Sequence, residues 1–394
     1  MFFNYKKLLN LEVPKHFEPI IQEELEKTLL RVINGLELVI KKDLSSAVKA
    51  NRKILYQERN LSLFHYLPIN ENVYSVPVVL VPPLMTTVDI FDLVPEHSLA
   101  NTLVQNGFNV YLIDFGSPDE NDSHLKIDDY ILNLLYRAIH MTKKHSDSKE
   151  VSLLGYCLGG TFSTIYASVS LDIRNDAKNV INIAGPIDLK PLEFFNLLFK
   201  PFKKEWFSLV DKYGRLPKEL LTVLFKMVDP LNYIRRPFQV LNKAWDRDYL
   251  VKHQALSDFF NSFQSLPSGV FKQCFDIISS NDLVSGKLKL LDQIVQLENF
   301  QANLLTFGGS KDSFIPPDSV RAVQKHISSK DFQYIELPFG HVSIMGSEKA
   351  KSTVWKTCVD WLKVRSGELV NSNQHSESNT QQKQSLKLER LIVD

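Results

Sequence analysis

Val151-Ser152-Leu153-Leu154-Gly155-Tyr156-Cys157-Leu158-Gly159-Gly160-Thr161-Phe162-Ser163 is the stretch on which the fold turns. A continuous apolar run, of the kind buried on both faces of a parallel sheet, leads straight into Gly-x-Cys-x-Gly-Gly and then into a helical segment. Strand, tight turn and helix in that order make a nucleophile elbow, with cysteine where serine is more usual. A nucleophile held in so sharp a turn needs small residues two before and two after it, because larger side chains would collide. The helix that follows aims its first backbone N–H groups and its positive dipole end at Cys157, which favours a thiolate and later an oxyanion. The N–H of Leu158 is the first expected oxyanion donor. Taken alone, the motif also fits an inert cysteine packed between small residues, so its context decides.

Outward from this stretch the same alternation recurs. Val78-Val79-Leu80-Val81, Val110-Tyr111-Leu112-Ile113 and Val180-Ile181-Asn182-Ile183 read as further buried strands, with helices between them over 99–106 and 128–142. From about 190 to 300 strands give way to helical spacing dense in Phe, Leu and Trp. From about 302 the alternation returns, with strands at Leu304–Phe307 and Phe332–Ile335 and a helix through Trp355 and Trp361. The pattern predicts an α/β-hydrolase fold: a mostly parallel sheet, helices on both faces and a helical cap insertion. The expected division is an N-terminal helical region (1–55), a first part of the core (56–190), the cap (191–300), a second part of the core (301–365) and a polar tail (366–394). The tail is Ser/Asn/Gln-rich and too poor in apolar residues to order itself; its last apolar residues, Leu386–Val393, form a candidate docking segment. In the N-terminal region Phe17, Ile20, Ile21, Leu25, Leu29, Val32, Ile33 and Leu36 recur at helical spacing, which suits either packing on the body or contact with a partner.

An elbow calls for an acid and then a histidine downstream, each after a strand. Phe307-Gly308-Gly309-Ser310-Lys311-Asp312 supplies the acid and Leu337-Pro338-Phe339-Gly340-His341 the histidine. Cys157, Asp312 and His341 are therefore the candidate catalytic residues. Asp188, in Gly185-Pro186-Ile187-Asp188, also follows a strand and competes as the acid. Asp114 ends a strand beside Phe115-Gly116-Ser117-Pro118 and reads as a turn former. His97, His140 and His253 lack this placement. Cys274, Cys358, Trp206 and Trp245 read as core. A second oxyanion donor should come from Pro82-Pro83-Leu84-Met85; prolines have no N–H, leaving Leu84 or Met85, with Leu84 preferred.

Composition limits the remaining classes. The 394 residues carry 46 Lys+Arg against 45 Asp+Glu, a net charge of +1, so the basic field a non-specific nucleic-acid binder needs is missing. No stretch approaches the roughly 20 uninterrupted apolar residues of a spanning helix. Met1-Phe2-Phe3-Asn4-Tyr5-Lys6-Lys7 puts apolar before basic, the reverse of a secretory leader. Three scattered cysteines suit neither a disulfide framework nor a zinc site, and a reducing cytoplasm is the expected location.

Over about 55–365 the chain resembles the polyhydroxyalkanoate synthases. The resemblance is carried by Val81-Pro82-Pro83-Leu84-Met85, Asp89-Ile90-Phe91-Asp92-Leu93, the run Gly107-Phe108-Asn109-Val110-Tyr111-Leu112-Ile113-Asp114-Phe115-Gly116-Ser117-Pro118, the cysteine box Gly155–Gly160, Lys311–Pro317 and Gly340-His341-Val342. Phe115 stands where that family usually has Trp. The short chain is similar to the catalytic subunit of the two-subunit synthases. That resemblance implies transfer of 3-hydroxyacyl groups from coenzyme A thioesters to a growing polyester through an acylated Cys157. It implies no bound cofactor, coenzyme A being a released product. It also implies a second, non-catalytic subunit, allows a homodimer, and places the protein at the surface of polyester granules. Cysteine suits such transfer, because thioester exchanges for thioester at little cost while serine would trap a more stable oxyester. In this family Asp312 could orient His341 or help to activate the incoming hydroxyl. A cysteine hydrolase acting on esters or thioesters is the competing enzyme class, and an inert scaffold retaining the fold is the non-enzymatic one.

Overall fold

The computed structural model describes residues 23, 24, 26–34, 50–169, 172–228 and 240–372. The chain divides into two compact units, Met1–Val48 with Asp229–Asp258, and Lys49–Val228 with Phe259–Asp394. The larger unit is built on an eight-stranded sheet: β1 Arg52–Glu58, β2 Leu61–Tyr66, β3 Val78–Val81, β4 Val110–Asp114, β5 Val151–Tyr156, β6 Ala177–Ile183, β7 Asn303–Gly309 and β8 Phe332–Leu337. Their order across the sheet is β1-β2-β4-β3-β5-β6-β7-β8. β1 pairs antiparallel with β2, and β2 antiparallel with β4; all later neighbours are parallel.

The parallel strands form where the sequence is β-branched and apolar throughout. β3 and β5 are buried along their whole length, and β6 and β7 along all but one residue. α1 (Leu99–Gln105), α2 (Tyr136–Ser146) and α3 (Leu158–Tyr166) lie between successive strands as crossover helices. α1 starts at Ser98, whose hydroxyl accepts the Asn101 N–H at 2.9 Å. After β6 come α4 (Glu193–Leu198), α5 (Lys203–Tyr213), α6 (Lys218–Val228) and α7 (Ser268–Ser280). Their aromatic side chains pack together: Phe195 on Phe275 at 5.0 Å, Phe199 on Trp206 at 5.0 Å, Phe207 on Phe275 at 5.3 Å. This layer joins the cluster that contains the sheet core, so Trp206 is a packing residue, its Nε1–H donating to the Leu198 carbonyl at 3.0 Å. α8 (Pro317–Arg321) and α9 (Lys356–Lys363) complete the second half of the core.

Three features differ from the sequence reading. β1 and β2 were not expected, and the boundary placed at 55/56 falls inside β1. β1 is a half-exposed edge whose short apolar centre, Ile54–Tyr56, is flanked by charged and polar residues (Arg52, Lys53, Gln57, Glu58). Second, the stretch 191–300 is shared between the two compact units and does not form one insertion. Third, the chain does not leave the fold at 366. Ser366 is buried, and Leu369–Asn371 pairs antiparallel with Asn72–Tyr74. Leu386–Val393 lies outside the described residues, as do Phe17, Ile20, Ile21, Leu25 and Leu36. Within 26–34 the chain is helical, with Leu29, Val32 and Ile33 about half exposed.

Candidate active site

Cys157 sits between the last residue of β5 and the first of α3, at φ 54° and ψ −128°. That is a strained conformation for a residue with a Cβ, costing on the order of 1–3 kcal/mol, and it is held by what surrounds it. The Cys157 N–H donates to Ile183 O at 2.9 Å, and its carbonyl accepts from Gly160 and Thr161. The glycines are needed for close approach. A Cβ on Gly159 would stand 2.1 Å from the Val81 carbonyl oxygen, and one on Gly155 would stand 2.3 Å from the Gly159 oxygen. The turn thus lies directly against the end of β3, which opens the Pro82–Met85 loop.

A buried asparagine that the sequence reading passed over supports the other flank. Asn182 accepts from the Gly185 N–H at 2.8 Å and donates to the Gly185 carbonyl at 3.1 Å. A Cβ on Gly185 would come within 2.6 Å of the Cys157 oxygen, so Asn182 fixes the loop on which the elbow rests. Polarity inside an apolar strand was the available signal.

Asp312 and His341 meet beside this turn. Asp312 leaves β7 in a tight loop, and its Oδ1 accepts the N–H groups of Phe314 (2.9 Å) and Ile315 (2.8 Å). Its Oδ2 faces His341 Nδ1 at 2.7 Å. Cys157 lies close enough to the same imidazole for its charge to act on it. Cys157 and Asp312 are each 6% exposed; the His341 side chain is 13% exposed. Burial by itself would make His341 less basic, but the charges of Asp312 and Cys157 and the hydrogen bond to Asp312 prevail and raise it to about 10. Burial without a charged partner pushes the Cys274 thiol up to about 12, the behaviour of an inert packed cysteine. Cys358 is shifted the same way.

Two aromatic residues frame the imidazole. Tyr156 donates its hydroxyl to the His341 carbonyl at 3.0 Å, with the two ring centroids 5.3 Å apart. Phe314 stands edge-on at 5.3 Å, and Phe225 of α6 packs on Phe314 at 4.7 Å. The competing acid is occupied elsewhere: Asp188 accepts from Asn281 Nδ2 and the Lys190 N–H, both at 3.0 Å. Asp114 caps its own turn through the Gly116 N–H at 2.9 Å, as expected of a turn former. Leu158 opens α3, where a backbone N–H has no partner within the helix. Leu84 is buried in the loop after β3, and the neighbouring Met85 carbonyl accepts from Gln264 N at 3.0 Å. The arrangement can therefore generate a sulfur nucleophile, pass its proton to an oriented imidazole and receive an oxyanion at a helix start.

Residues 76–347 match the family described as alpha/beta hydrolase fold, and residues 21–103 match the poly-beta-hydroxybutyrate polymerase (PhaC) N-terminus. The chain is similar to the poly(3-hydroxyalkanoate) polymerase subunit PhaC of Haloferax mediterranei, 28% identical over 82% of this chain and 65% of that one. It thus spans just under two thirds of that relative's length. The PhaC subunit of Thiocystis violacea is 27% identical over 89% of this chain and 98% of its own. Among solved structures, a soluble variant of monoglyceride lipase from Saccharomyces cerevisiae superposes with a TM-score of 0.55 at 16% identity, covering 82% of this chain and 97% of that one.

Proposed function

Since this chain belongs to the α/β-hydrolase fold family and is similar to PhaC subunits along most of its length, we propose that it is a polyester synthase that moves 3-hydroxyacyl groups from coenzyme A thioesters onto a growing chain. The observation that carries the proposal is the meeting of a cysteine elbow with an Asp312-oriented His341. With the proton held on His341, the Cys157 sulfur attacks the thioester carbonyl. The tetrahedral oxyanion rests on the Leu158 N–H and on an N–H of the Pro82–Met85 loop, with Leu84 the preferred donor. Collapse breaks the carbon–sulfur bond to coenzyme A, which leaves with the proton from His341. The acyl group is then held as a Cys157 thioester.

Acylation removes the sulfur charge, one of the causes that raise His341, so the imidazole becomes easier to deprotonate. Neutral His341 can then take the proton from the 3-hydroxyl of a second acyl group as that oxygen attacks the Cys157 thioester, forming the oxyester and releasing the Cys157 sulfur. In this sequence Asp312 orients and charges the ring; its two backbone hydrogen bonds suit a fixed support. Phe314 and Phe225 form an apolar wall that limits hydrolysis by water. No cofactor takes part. A second, non-catalytic subunit, self-association and a polyester-granule surface in the cytoplasm complete the proposal. Among the described residues no helix is long and apolar enough to cross a membrane.

The test supplies 3-hydroxybutyryl-CoA and follows thiol release together with product size. The expected result is release coupled to high-mass polyester, both abolished by Cys157→Ala. Free 3-hydroxybutyrate as the main product would replace synthase by hydrolase, and undiminished release from Cys157→Ala would remove the cysteine mechanism.

A further inference from the structure

His97 is a buried titratable residue, 3% exposed, that the mechanism above does not use. It lies in a small hairpin, Asp92–Val94 paired antiparallel with His97–Ser98, and Ser98 then caps α1. The imidazole meets the segment that follows His341 in two places. Its ring centroid is 4.7 Å from that of Trp355, itself 1% exposed, and its Nδ1 stands 3.5 Å from Glu348 Oε1. The other Glu348 oxygen lies 3.3 Å from Lys351 Nζ. The glutamate side chain is more than half exposed while the imidazole is enclosed. The imidazole is therefore the fixed member of the contact and the glutamate the one it holds.

Both partners continue loops of the reaction site. The hairpin is reached from the Pro82–Met85 loop through a single turn, Val88–Phe91. Its other side is pinned to the sheet: Asp92, 1% exposed, accepts from the Tyr66 hydroxyl of β2 at 3.1 Å, and that hydroxyl accepts from Arg52 of β1 at 3.1 Å. Glu348 follows His341 along backbone that turns without a break. Ile344 N donates to Gly340 O (3.1 Å), Gly346 N to Val342 O (2.8 Å) and Ala350 N to Ser347 O (3.0 Å). The Ser343 hydroxyl locks the start of this run by accepting the Gly340 N–H at 2.8 Å. Ser343–Gly346 also rests on the Val88–Phe91 turn. A displacement at Glu348 is thus carried back to His341 through stiff chain, while the hairpin stays held by β1 and β2.

We propose that His97 is a positioning residue: through Glu348 and Trp355 it holds the His341-bearing segment where the imidazole can serve Cys157. His97 acts through His341 and not on the substrate. The assignment rests on the Cys157–His341 pairing of the proposed function and is independent of what finally accepts the acyl group.

The test uses the full chain and three substitutions. His97→Leu fills the space without an imidazole, Glu348→Gln removes the charge it faces, and His97→Asn restores a polar nitrogen near the place of Nδ1. Thiol release from 3-hydroxybutyryl-CoA is resolved into kcat and KM. Alkylation of Cys157 by iodoacetamide is followed across pH, with Cys157→Ala as the blank. Small misplacements of a catalytic group are costly, so His97→Leu is expected to lower kcat about tenfold and Glu348→Gln about threefold, with KM within about twofold. Alkylation should move to higher pH in both, because a more distant imidazolium stabilises the thiolate less. His97→Asn should recover about half of the wild-type kcat, its amide again offering a donor to Glu348. The melting temperature of Glu348→Gln should stay within about 2 °C of the wild type, since so exposed a pair adds little stability. Unchanged kcat in both His97→Leu and Glu348→Gln, a change confined to KM, an alkylation profile that does not move, or His97→Asn no more active than His97→Leu would each overturn the proposal. A lowered melting temperature with wild-type kcat would overturn it too, leaving the contact structural. Should His97→Leu not fold, Glu348→Gln carries the same two expectations, and failure of either overturns it. If the wild type releases no thiol, the synthase reading falls, and the alkylation profiles still decide the role of His97.

Discussion

Tyr156 occupies the free position of the elbow motif, where the backbone alone sets the turn. Here its hydroxyl reaches the carbonyl of the histidine 185 residues away. A neutral hydrogen bond contributes about 1 kcal/mol, and one that positions the base acts on the transition state. Tyr156→Phe keeps the ring and should lower kcat about fivefold, leaving KM within twofold; steady-state kinetics on the coenzyme A thioester would show this, and a change confined to KM would contradict it. A second consequence concerns protonation. The folded-state pKa of His341, about 10, lies above its ordinary 6.5. Its contribution to stability is therefore complete below about pH 6.5 and is lost as pH rises through about 10. Urea midpoints should fall across that window, and Asp312→Asn should flatten the fall because it removes the principal raising charge. An equal slope in the variant would point to other groups. The three candidate residues stood out in the sequence because each follows a strand in a fixed order. The support shell was harder to read: Asn182 announces itself only as a polar residue in an apolar strand, and Tyr156 has no sequence signature for reaching across the fold.

At the scale of elements, the apolar parallel strands announce themselves and the edges do not. β3 and β5 are buried throughout, so their sequences carry no alternation to obscure them. β1 is half exposed and mixes Arg, Lys, Gln and Glu with Ile, Leu and Tyr, which propensity alone reads as loop or helix end. Leu369–Asn371 is shorter still and lies in polar sequence; backbone pairing with Asn72–Tyr74 makes it a strand. The contact between the elbow and the end of β3 belongs to this scale too. Gly159→Ala drives a methyl group into the Val81 carbonyl. The expected cost is about 3 kcal/mol, read as a lower urea midpoint, with loss of thiol release as Cys157 and the Pro82–Met85 loop are pushed apart. A variant with full stability and activity would show that the two loops are not in register.

For the molecule as a whole, the last described strand acts as a clasp. Backbone bonds run from Ser75 N to Glu368 O (2.9 Å), from Val76 N to Ser366 O (3.0 Å) and from Ser372 N to Glu71 O (2.8 Å). Truncation after Arg365 leaves those groups on residues 71–76 without partners, immediately before β3. It should cost about 2–3 kcal/mol, a large part of an ordinary stability, and lower the melting temperature by several degrees. An unaltered melting curve would show that the pairing adds nothing. At the other end of the same unit, Leu67 N donates to Asn51 O at 3.0 Å, while Ser372 donates its hydroxyl to Asn70 O at 3.1 Å. Residues 51 and 372 are thus tethered to points only three residues apart. The larger unit could be rewired as a circular permutant: a brief peptide bridge would fuse residue 372 to residue 51, and fresh termini could be cut at the surface turn around Asp147, at the opposite end of β5 from Cys157.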